Sequence, residues 1–413
     1  IAMAPSGGID LPGIGNVFPF QKFFYQMQGI EFQVITAGKF KYPGFMNRVE
    51  PDKYFKEEFG ELYDSMFDDY VNMVVDGRDM DREKVLEIIN KAIFNAPEAQ
   101  QHGLVDTLAY YDEYRDRVLK RDKMKKFRDR SDGLKDLQSV QDIMEWMNDQ
   151  MQAEAEARKA VGPKIAVLHA RGPIVDINLG AAVASQMICR DDFVEEVEKL
   201  RKNKSIKAVV LRIDSPGGSG YASDIIWRHL RKLDEEKPLV VSMGTVAGSG
   251  GYYIACPARK IFAQPTTITG SIGVLTIMQS QRAALNRMNV EMAEIKRGKL
   301  ANMGSPHRAL SKSEVELLQG YIDDFYDIFI ERVATGRKRP ETEVRKIAEG
   351  RIWTGRDALE IGLVDELGGL DDAIQSARAM ANIPESAELK ILHYPRPGSL
   401  GELFESLGLE EAG

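Results

Sequence analysis

The sequence has little of what marks several common classes of protein. Its 413 residues include only two cysteines, Cys189 and Cys256, and both lie in apolar helical contexts. We therefore expect buried free thiols rather than a disulfide framework, and no metal or cofactor. No stretch is long and apolar enough to span a bilayer, and no signal peptide is visible. The formal net charge of −8 gives no support for nucleic acid as a partner.

The composition is that of an ordinary globular protein, and the chain is long enough for two or three domains. It also contains an internal repeat. Three pairs of similar segments occur in the same order, with partners 259 or 260 residues apart. A single insertion or deletion accounts for the change of offset. The matching segments are 30–41 with 290–301, 75–78 with 334–337, and 103–106 with 362–365.

The repeat predicts a domain organisation. One complete domain covers about 164–395, and the second half of a similar domain precedes it at about 1–110. In this interpretation Ile1-Ala2 aligns with Ile254-Ala255, just past the first copy's counterpart of Ser249. A first residue other than Met is typical of a fragment. Between the copies, residues 111–163 are rich in charged side chains and predict a solvated helical linker. Residues 396–413 predict a fraying tail.

Within the complete domain, strand and helix patterns alternate. This order predicts right-handed βαβ units and a mostly parallel sheet, hence an α/β fold. The predicted strands are 164–168, 208–213 and 238–242, and the predicted helices are 193–201, 221–233 and a segment after Ser249.

A serine between glycines lies at the predicted strand-to-helix turn, in Gly248-Ser249-Gly250-Gly251. Glycines allow a substrate to approach the backbone closely, and the free N–H groups at the following helix start suit an oxyanion. One βα unit earlier, Ser215-Pro216-Gly217-Gly218 follows a strand. The N–H of Gly217 or Gly218, with that of Gly250, could complete a two-donor oxyanion hole. The alternative is a turn that only packs a helix on the sheet.

A serine nucleophile needs a base, and none of the five histidines falls in the segments immediately after Ser249. A lysine can serve if burial lowers its pKa towards neutrality. The repeat separates the candidates: Lys39 and Lys299 are equivalent, whereas Lys41 has Ala301 as its counterpart. The unpaired Lys41 is therefore the candidate base, and the alternative is one more solvated lysine.

Taken together, these motifs resemble the signal peptide peptidase A (protease IV) family in its long, tandem-domain form. The segments that carry the resemblance are LRIDSPGGS at 211–219, VVSMGTVAGSGGYYIA at 240–255, PTTITGSIGV at 265–274, GKFK at 38–41 and WTGRDALEIGLVDELGG at 353–369.

The resemblance implies a crotonase/ClpP-like α/β fold and a Ser/Lys dyad, with the serine from the C-terminal copy and the lysine from the N-terminal copy. Ser249 matches the nucleophile, Lys41 the general base and Ser271 the serine that hydrogen-bonds the lysine. Gly248 departs from the pattern, because alanine is more usual there. The positions that match the oxyanion hole are Gly217 or Gly218, together with Gly250.

The resemblance also implies a homo-oligomer that degrades cleaved signal peptides or other short apolar peptides. It implies a bacterial inner-membrane location, a periplasmic catalytic part and an anchor ahead of this chain. Two alternatives stay open: a catalytically silent scaffold or chaperone-like assembly of the same fold, and an acyl-CoA enzyme of the crotonase type, which would need neither Ser249 nor Lys41.

Overall fold

The computed structural model describes residues 1–41, 46–121, 162–176, 186–293, 300 and 302–395. It divides the chain into two compact units. Residues 1–16 and 63–159 form the smaller unit, and residues 17–62 and 160–413 form the larger one. The domain boundaries predicted near residues 110 and 164 come from the sequence repeat and not from compactness. They stay a prediction. Most of the predicted linker and all of the predicted tail lie outside the described residues.

The strands are β1 Ala2–Met3, β2 Gly8–Asp10, β3 Glu31–Ala37, β4 Ile93–Asn95, β5 Thr107–Leu108, β6 Lys164–Arg171, β7 Ile174–Val175, β8 Ile188–Cys189, β9 Ile206–Ser215, β10 Leu239–Gly248, β11 Lys260–Ala263, β12 Ile268–Gly270, β13 Val274–Ser280, β14 Ile352–Thr354, β15 Glu366–Leu367 and β16 Lys390–Tyr394. The helices are α1 Lys22–Met27, α2 Lys53–Arg78, α3 Arg82–Lys91, α4 Ala96–Gln101, α5 Tyr111–Arg121, α6 Arg190–Lys202, α7 Gly220–Glu236, α8 Gly250–Ala255, α9 Arg282–Arg287, α10 Lys312–Arg337, α11 Glu341–Ile347, α12 Gly355–Glu360 and α13 Leu370–Met380.

A central sheet organises the larger unit, in the order β14-β12-β10-β9-β6-β16, with β11 beside β10 and β15 beside β11. Every pair in it is parallel except β12 with β14. The inner strands are near-continuous runs of Val, Ile and Leu because helices cover parallel sheets on both faces. The predicted α/β fold with a mostly parallel sheet is confirmed.

One cluster of buried hydrophobic residues lies between this sheet and α13. Each buried aliphatic side chain there contributes about 1.5–3 kcal/mol relative to exposure. Cys189 and Cys256 are buried free thiols, as predicted. The sheet residues in the cluster include Ile165, Val167, Val210 and Val240, and the helix residues include Ala373, Ile374 and Ala377.

The strand that leads to the serine is longer than predicted. The apolar run ends at Ser242, but β10 continues to Gly248 and stops directly at Ser249. Its register against β9 shifts between Met243 and Ala247. Pairing of its last residues with β12 holds this polar, glycine-containing stretch extended, so tertiary contacts override a weak local pattern.

The repeat is visible in the pairing of the strands. In the smaller unit β1 pairs with β5 in parallel and β2 with β4 antiparallel, and in the larger unit β11–β15 and β12–β14 pair in the same ways. The backbone bonds match as well: Asp106 N donates to Ile1 O just as Asp365 N donates to Ile261 O. Ile1 therefore corresponds to Ile261, and its predicted alignment with Ile254 is wrong. A short identity misled the sequence comparison there.

One strand pair joins the two copies within the larger unit. Strand β3, from the first copy, pairs antiparallel with β13, from the second, from Ala37 opposite Val274 to Glu31 opposite Ser280. The chain leaves β3 through Gly38 and reaches Lys41, while β13 begins three residues after Ser271. This ladder therefore brings a segment of the first copy beside the serine turn of the second.

Candidate active site

Ser249 lies at the junction of β10 and α8 in an unusual backbone conformation. Its φ of 53° and ψ of −120° are sparsely populated by residues other than glycine. The turn is held on both sides, since Ser249 N donates to Gly270 O at 2.9 Å and Ser249 O accepts from Tyr253 N at 2.9 Å. Strain of this kind costs on the order of 1–3 kcal/mol and is typical of functional sites.

The loop after β9 packs against this turn so closely that only glycine fits. A Cβ on Gly217 would lie 2.5 Å from Gly250 N, and a Cβ on Gly251 would lie 2.6 Å from Ser215 O. Gly217 also has a φ of 95°, which disfavours any other residue. The two glycine-rich motifs of the sequence are therefore in direct contact.

The structure distinguishes between the two predicted donors in that loop. Gly217 N donates to Ser215 Oγ at 3.2 Å, so its hydrogen is already used. Within the described residues, the Gly218 N–H donates to no acceptor. Gly250 is the first residue of α8, so its N–H has no partner inside the helix. Gly218 and Gly250 thus present two available donors beside Ser249.

Lys41 points its ammonium group into the same turn. Its Nζ donates to Ser249 Oγ, to Ser271 Oγ and to Ser271 O, each at 2.9 Å. Burial lowers the pKa of Lys41 to about 8, because the charged form loses hydration, and the nearby Glu58 opposes this shift. The amine of Lys41 is therefore within hydrogen-bonding distance of both predicted serine hydroxyls, those of Ser249 and Ser271.

Backbone contacts from the second copy hold Lys41 in place. Phe40 N donates to Glu349 O at 2.9 Å. A Cβ on Gly350, whose φ is +79°, would lie 2.5 Å from Lys41 Cβ and 2.6 Å from its Cα. The same loop also holds Ser271, since Ser271 N donates to Arg351 O at 2.7 Å. Residues 349–351 thus position both Lys41 and Ser271.

The other candidate lysine has a different environment. Lys39 forms an ion pair with Glu349 at 2.5 Å, and both side chains are more than a third exposed. This pair raises the pKa of Lys39, chiefly through the hydrogen bond to Glu349. A lysine in that environment stays protonated at neutral pH. Its counterpart Lys299 lies outside the described residues.

Ser249 and Lys41 open onto a cleft of about 520 Å³ whose walls are largely apolar. The cleft contains one carboxyl group that sequence reasoning missed, that of Glu58. No histidine lines it, and the described part of the chain holds no cluster of three His, Cys, Asp or Glu side chains suited to a metal ion. The apolar lining side chains are Phe40, Phe59, Tyr253, Val274, Leu275, Phe325, Phe329 and Ile352.

Glu58 is only 4% exposed. Its Oε1 accepts a hydrogen bond from Ile352 N at 2.9 Å. Burial raises the pKa of Glu58 to about 7, against the opposing influence of this bond, Arg351 and Lys41. The repeat offers a signal that could have found it: the residue at the equivalent position of the second copy is Leu317.

The family model of peptidase family S49 matches residues 1–125 and 231–384. The chain belongs to peptidase family S49. The resemblance to the signal peptide peptidase A (protease IV) family is thereby confirmed. The matched segments contain Lys41, Ser249 and Ser271, whereas Gly217 and Gly218 lie between them.

Two curated relatives of this family member extend over nearly the whole chain. "Serine protease SPPA, chloroplastic" of Arabidopsis thaliana is 31% identical over 98% of this chain and 59% of its own length. "Protease 4" of Haemophilus influenzae is 30% identical over 91% of this chain and 60% of its own. The chain thus spans about three fifths of the length of these relatives.

A solved structure, a ClpP1 mutant from Listeria monocytogenes, aligns with 55% of this chain and 99% of its own. Its TM-score is 0.35 and its identity 14%.

Among the described residues, every helix is too short or too polar to span a bilayer.

Proposed function

We propose that this S49 family member is a serine endopeptidase with a Ser/Lys dyad, in which Ser249 is the nucleophile and Lys41 the general base. The observation that carries the proposal is the 2.9 Å distance between Lys41 Nζ and Ser249 Oγ. It is supported by the lowered pKa of Lys41, to about 8, because only a neutral amine can accept the serine proton.

In the proposed reaction, neutral Lys41 takes the proton from Ser249 Oγ as that oxygen attacks the scissile carbonyl. The N–H groups of Gly218 and Gly250 stabilise the oxyanion. The resulting ammonium of Lys41 then gives its proton to the leaving amine, which leaves an acyl-enzyme. Water hydrolyses the ester with Lys41 again as base. Ser271 accepts a hydrogen bond from Nζ and keeps the lysine directed at Ser249.

The proposed substrates are short apolar peptides, including signal peptides left after preprotein cleavage. The apolar walls of the cleft support this class, because burial of substrate side chains there removes hydrocarbon from water. The signal-peptide identity, the homo-oligomer, the membrane attachment and the periplasmic location are carried over from the family resemblance.

The decisive experiment compares Ser249→Ala and Lys41→Ala with the matched control Lys39→Ala, using hydrolysis of an apolar peptide. We expect the first two variants to lose at least about 1,000-fold in kcat/KM. The control should retain activity, because Lys39 pairs with Glu349 outside the cleft. A Lys41→Ala enzyme with ordinary activity would refute the dyad.

Two further measurements separate the proposal from its alternatives. A fluorophosphonate should label Ser249 covalently in the wild type and fail to label Ser249→Ala. No labelling of the wild type would favour the silent scaffold. Mixing Ser249→Ala chains with Lys41→Ala chains should restore no activity, because the two residues meet within one chain.

A further inference from the structure

Beyond the dyad and Ser271, the cleft contains a buried acid whose role the proposed reaction does not yet include. Glu58 lies on α2 and is 4% exposed, so its carboxylate would lose most of its hydration. A single described hydrogen bond, from Ile352 N, compensates for part of this loss. A buried carboxylate is unfavourable unless a nearby positive charge compensates for its lost hydration, and Lys41 lines the same cleft.

Of the two cations that act electrostatically on Glu58, Arg351 has the larger influence, but only Lys41 lines the same cleft as Glu58. Arg351 is next to Ile352, but its guanidinium forms ion pairs with Glu61 and Glu57, both well exposed on the same helix as Glu58. Lys39 is paired with Glu349. The electrostatic influences on Glu58 come from Arg351 and Lys41, and Lys41 in turn is influenced by Glu58.

The repeat gives an independent reason to connect the two residues. The copy that contains Lys41 also contains Glu58, whereas the equivalent positions of the other copy are Ala301 and Leu317. Leu317 is 52% exposed, so the acid at position 58 is not required by the fold of this helix. The base and the acid are therefore present together or absent together.

We infer that Glu58 is a positioning residue for the proposed base: its carboxylate stabilises the ammonium that Lys41 becomes when Ser249 attacks. The inference rests on the proposed function. Glu58 exchanges no proton in this scheme, since the serine proton moves to Lys41 Nζ and from there to the leaving amine. A negative charge nearby favours the protonated lysine in both the resting enzyme and the transition state.

In the resting enzyme the charge of Glu58 slows the reaction, because it keeps Lys41 protonated; in the transition state the same charge speeds the reaction, because it stabilises the ammonium. The Glu58→Gln variant should therefore have a distinctive pH profile. The amide oxygen of the new side chain can still accept from Ile352 N, so the variant removes charge with little change of shape. Loss of the charge should move the ascending limb of kcat/KM about 0.5–1 pH unit lower. The alkaline plateau should fall about three- to tenfold. Below about pH 6.5 Glu58 is itself largely protonated in the wild type, because its pKa is raised to about 7, so the two enzymes should converge.

The matched control is Glu61→Gln, one turn along the same helix and 60% exposed. It removes one negative charge near Arg351 and should leave the limb where it is in the wild type. A merely structural role for Glu58 would lower activity equally at all pH values. An unshifted limb in Glu58→Gln overturns the inference.

A second measurement needs no variant at Glu58. In protein with isotope-labelled lysine, the Lys41 side-chain signal, assigned by its loss in Lys41→Ala, should respond to a second ionisation near the pKa of Glu58, about 7, besides its own. A single-step titration would contradict the inference. If Lys41→Ala keeps full activity, the proposed function fails; if it is inactive and the Glu58→Gln limb is unshifted, only the role of Glu58 fails.

Discussion

The two copies of the repeat share a backbone framework and differ in the side chains that it presents. Leu11 N donates to Ala92 O in the first copy as Ser271 N donates to Arg351 O in the second. The backbone positions are equivalent, yet Leu11 offers no polar group, whereas the Ser271 hydroxyl accepts a hydrogen bond from Lys41. Duplicated structure therefore does not imply duplicated chemistry.

Each copy supplies residues of the candidate site that the other copy lacks. The first copy supplies Lys41 and Glu58, and the second supplies Ser249 and Ser271. Pairing of β3 with β13 brings these contributions together in the larger unit.

Apart from replacement of the dyad itself, the largest expected effect tests how the second copy holds the lysine of the first. Gly350→Ala places a Cβ 2.5 Å from Lys41 Cβ, so the lysine must move. We expect kcat/KM to fall by at least about 100-fold, since a displacement of about 1 Å costs this much. The matched control is Gly304→Ala, because Gly304 has the same φ of +79° and nothing within 4 Å of an added Cβ. Equal losses in both variants would attribute the effect to backbone strain alone.

The pH dependence tests whether Lys41 differs from an ordinary lysine. Its pKa is lowered to about 8, and only the neutral amine accepts a proton, so kcat/KM should rise as pH rises through about 8. At about pH 6 the value should be about 100-fold below the alkaline plateau, because each unit below the pKa costs about tenfold. An ascending limb near the ordinary lysine value of 10.5 would mean that burial does not affect the base.

A smaller loss is expected when Ser271 loses the group that its counterpart Leu11 also lacks. In Ser271→Ala the ammonium keeps its bond to the carbonyl oxygen of residue 271 and to Ser249. We expect kcat to fall about tenfold with little change in KM, as for loss of one hydrogen bond to a charged group. Steady-state kinetics on one peptide substrate measures both. Complete inactivity would instead give Ser271 a direct part in the chemistry.

The smallest effect concerns stability and compares an ion pair that both copies contain. Arg337 pairs with Asp365 and is 7% exposed, whereas Arg78 pairs with Asp106 and is 20% exposed. Arg337→Ala should cost about 2 kcal/mol and Arg78→Ala at most about 1 kcal/mol, because solvent screens the more exposed pair. Urea unfolding of the two variants checks the order, and a reversed order would show that burial does not set the cost.

Much of the candidate site could be predicted because its residues stand in short, distinctive segments. Ser249 lies between glycines, and Lys41 stands out by comparison with Ala301. Gly350 could not be found in this way, and the difference between Glu58 and its counterpart Leu317 is one of many between the two equivalent helices. Gly350 matters through the atoms that a side chain would meet, and Glu58 is one of many acids on a charged helix until its burial is known.

The limits of the fold prediction have similar causes. The apolar pattern predicts the strand over 239–248 only as far as residue 242, because the rest is extended by pairing with its neighbours and not by its own pattern. The alignment of Ile1 was wrong because a two-residue identity competes with many chance matches. Backbone hydrogen bonds decide that alignment without reference to side-chain identity.

The family, the alternation of strands and helices, and the candidate residues could be predicted from the sequence, since these depend on local pattern and on the repeat. The 2.9 Å distance between Lys41 Nζ and Ser249 Oγ, across 208 residues of chain, arises only when the chain folds. The tertiary structure alone identified Gly218 rather than Gly217 as the available donor. Distances, burial and the pKa that follows from them are properties of neighbours in space, which the order of residues along the chain does not reveal.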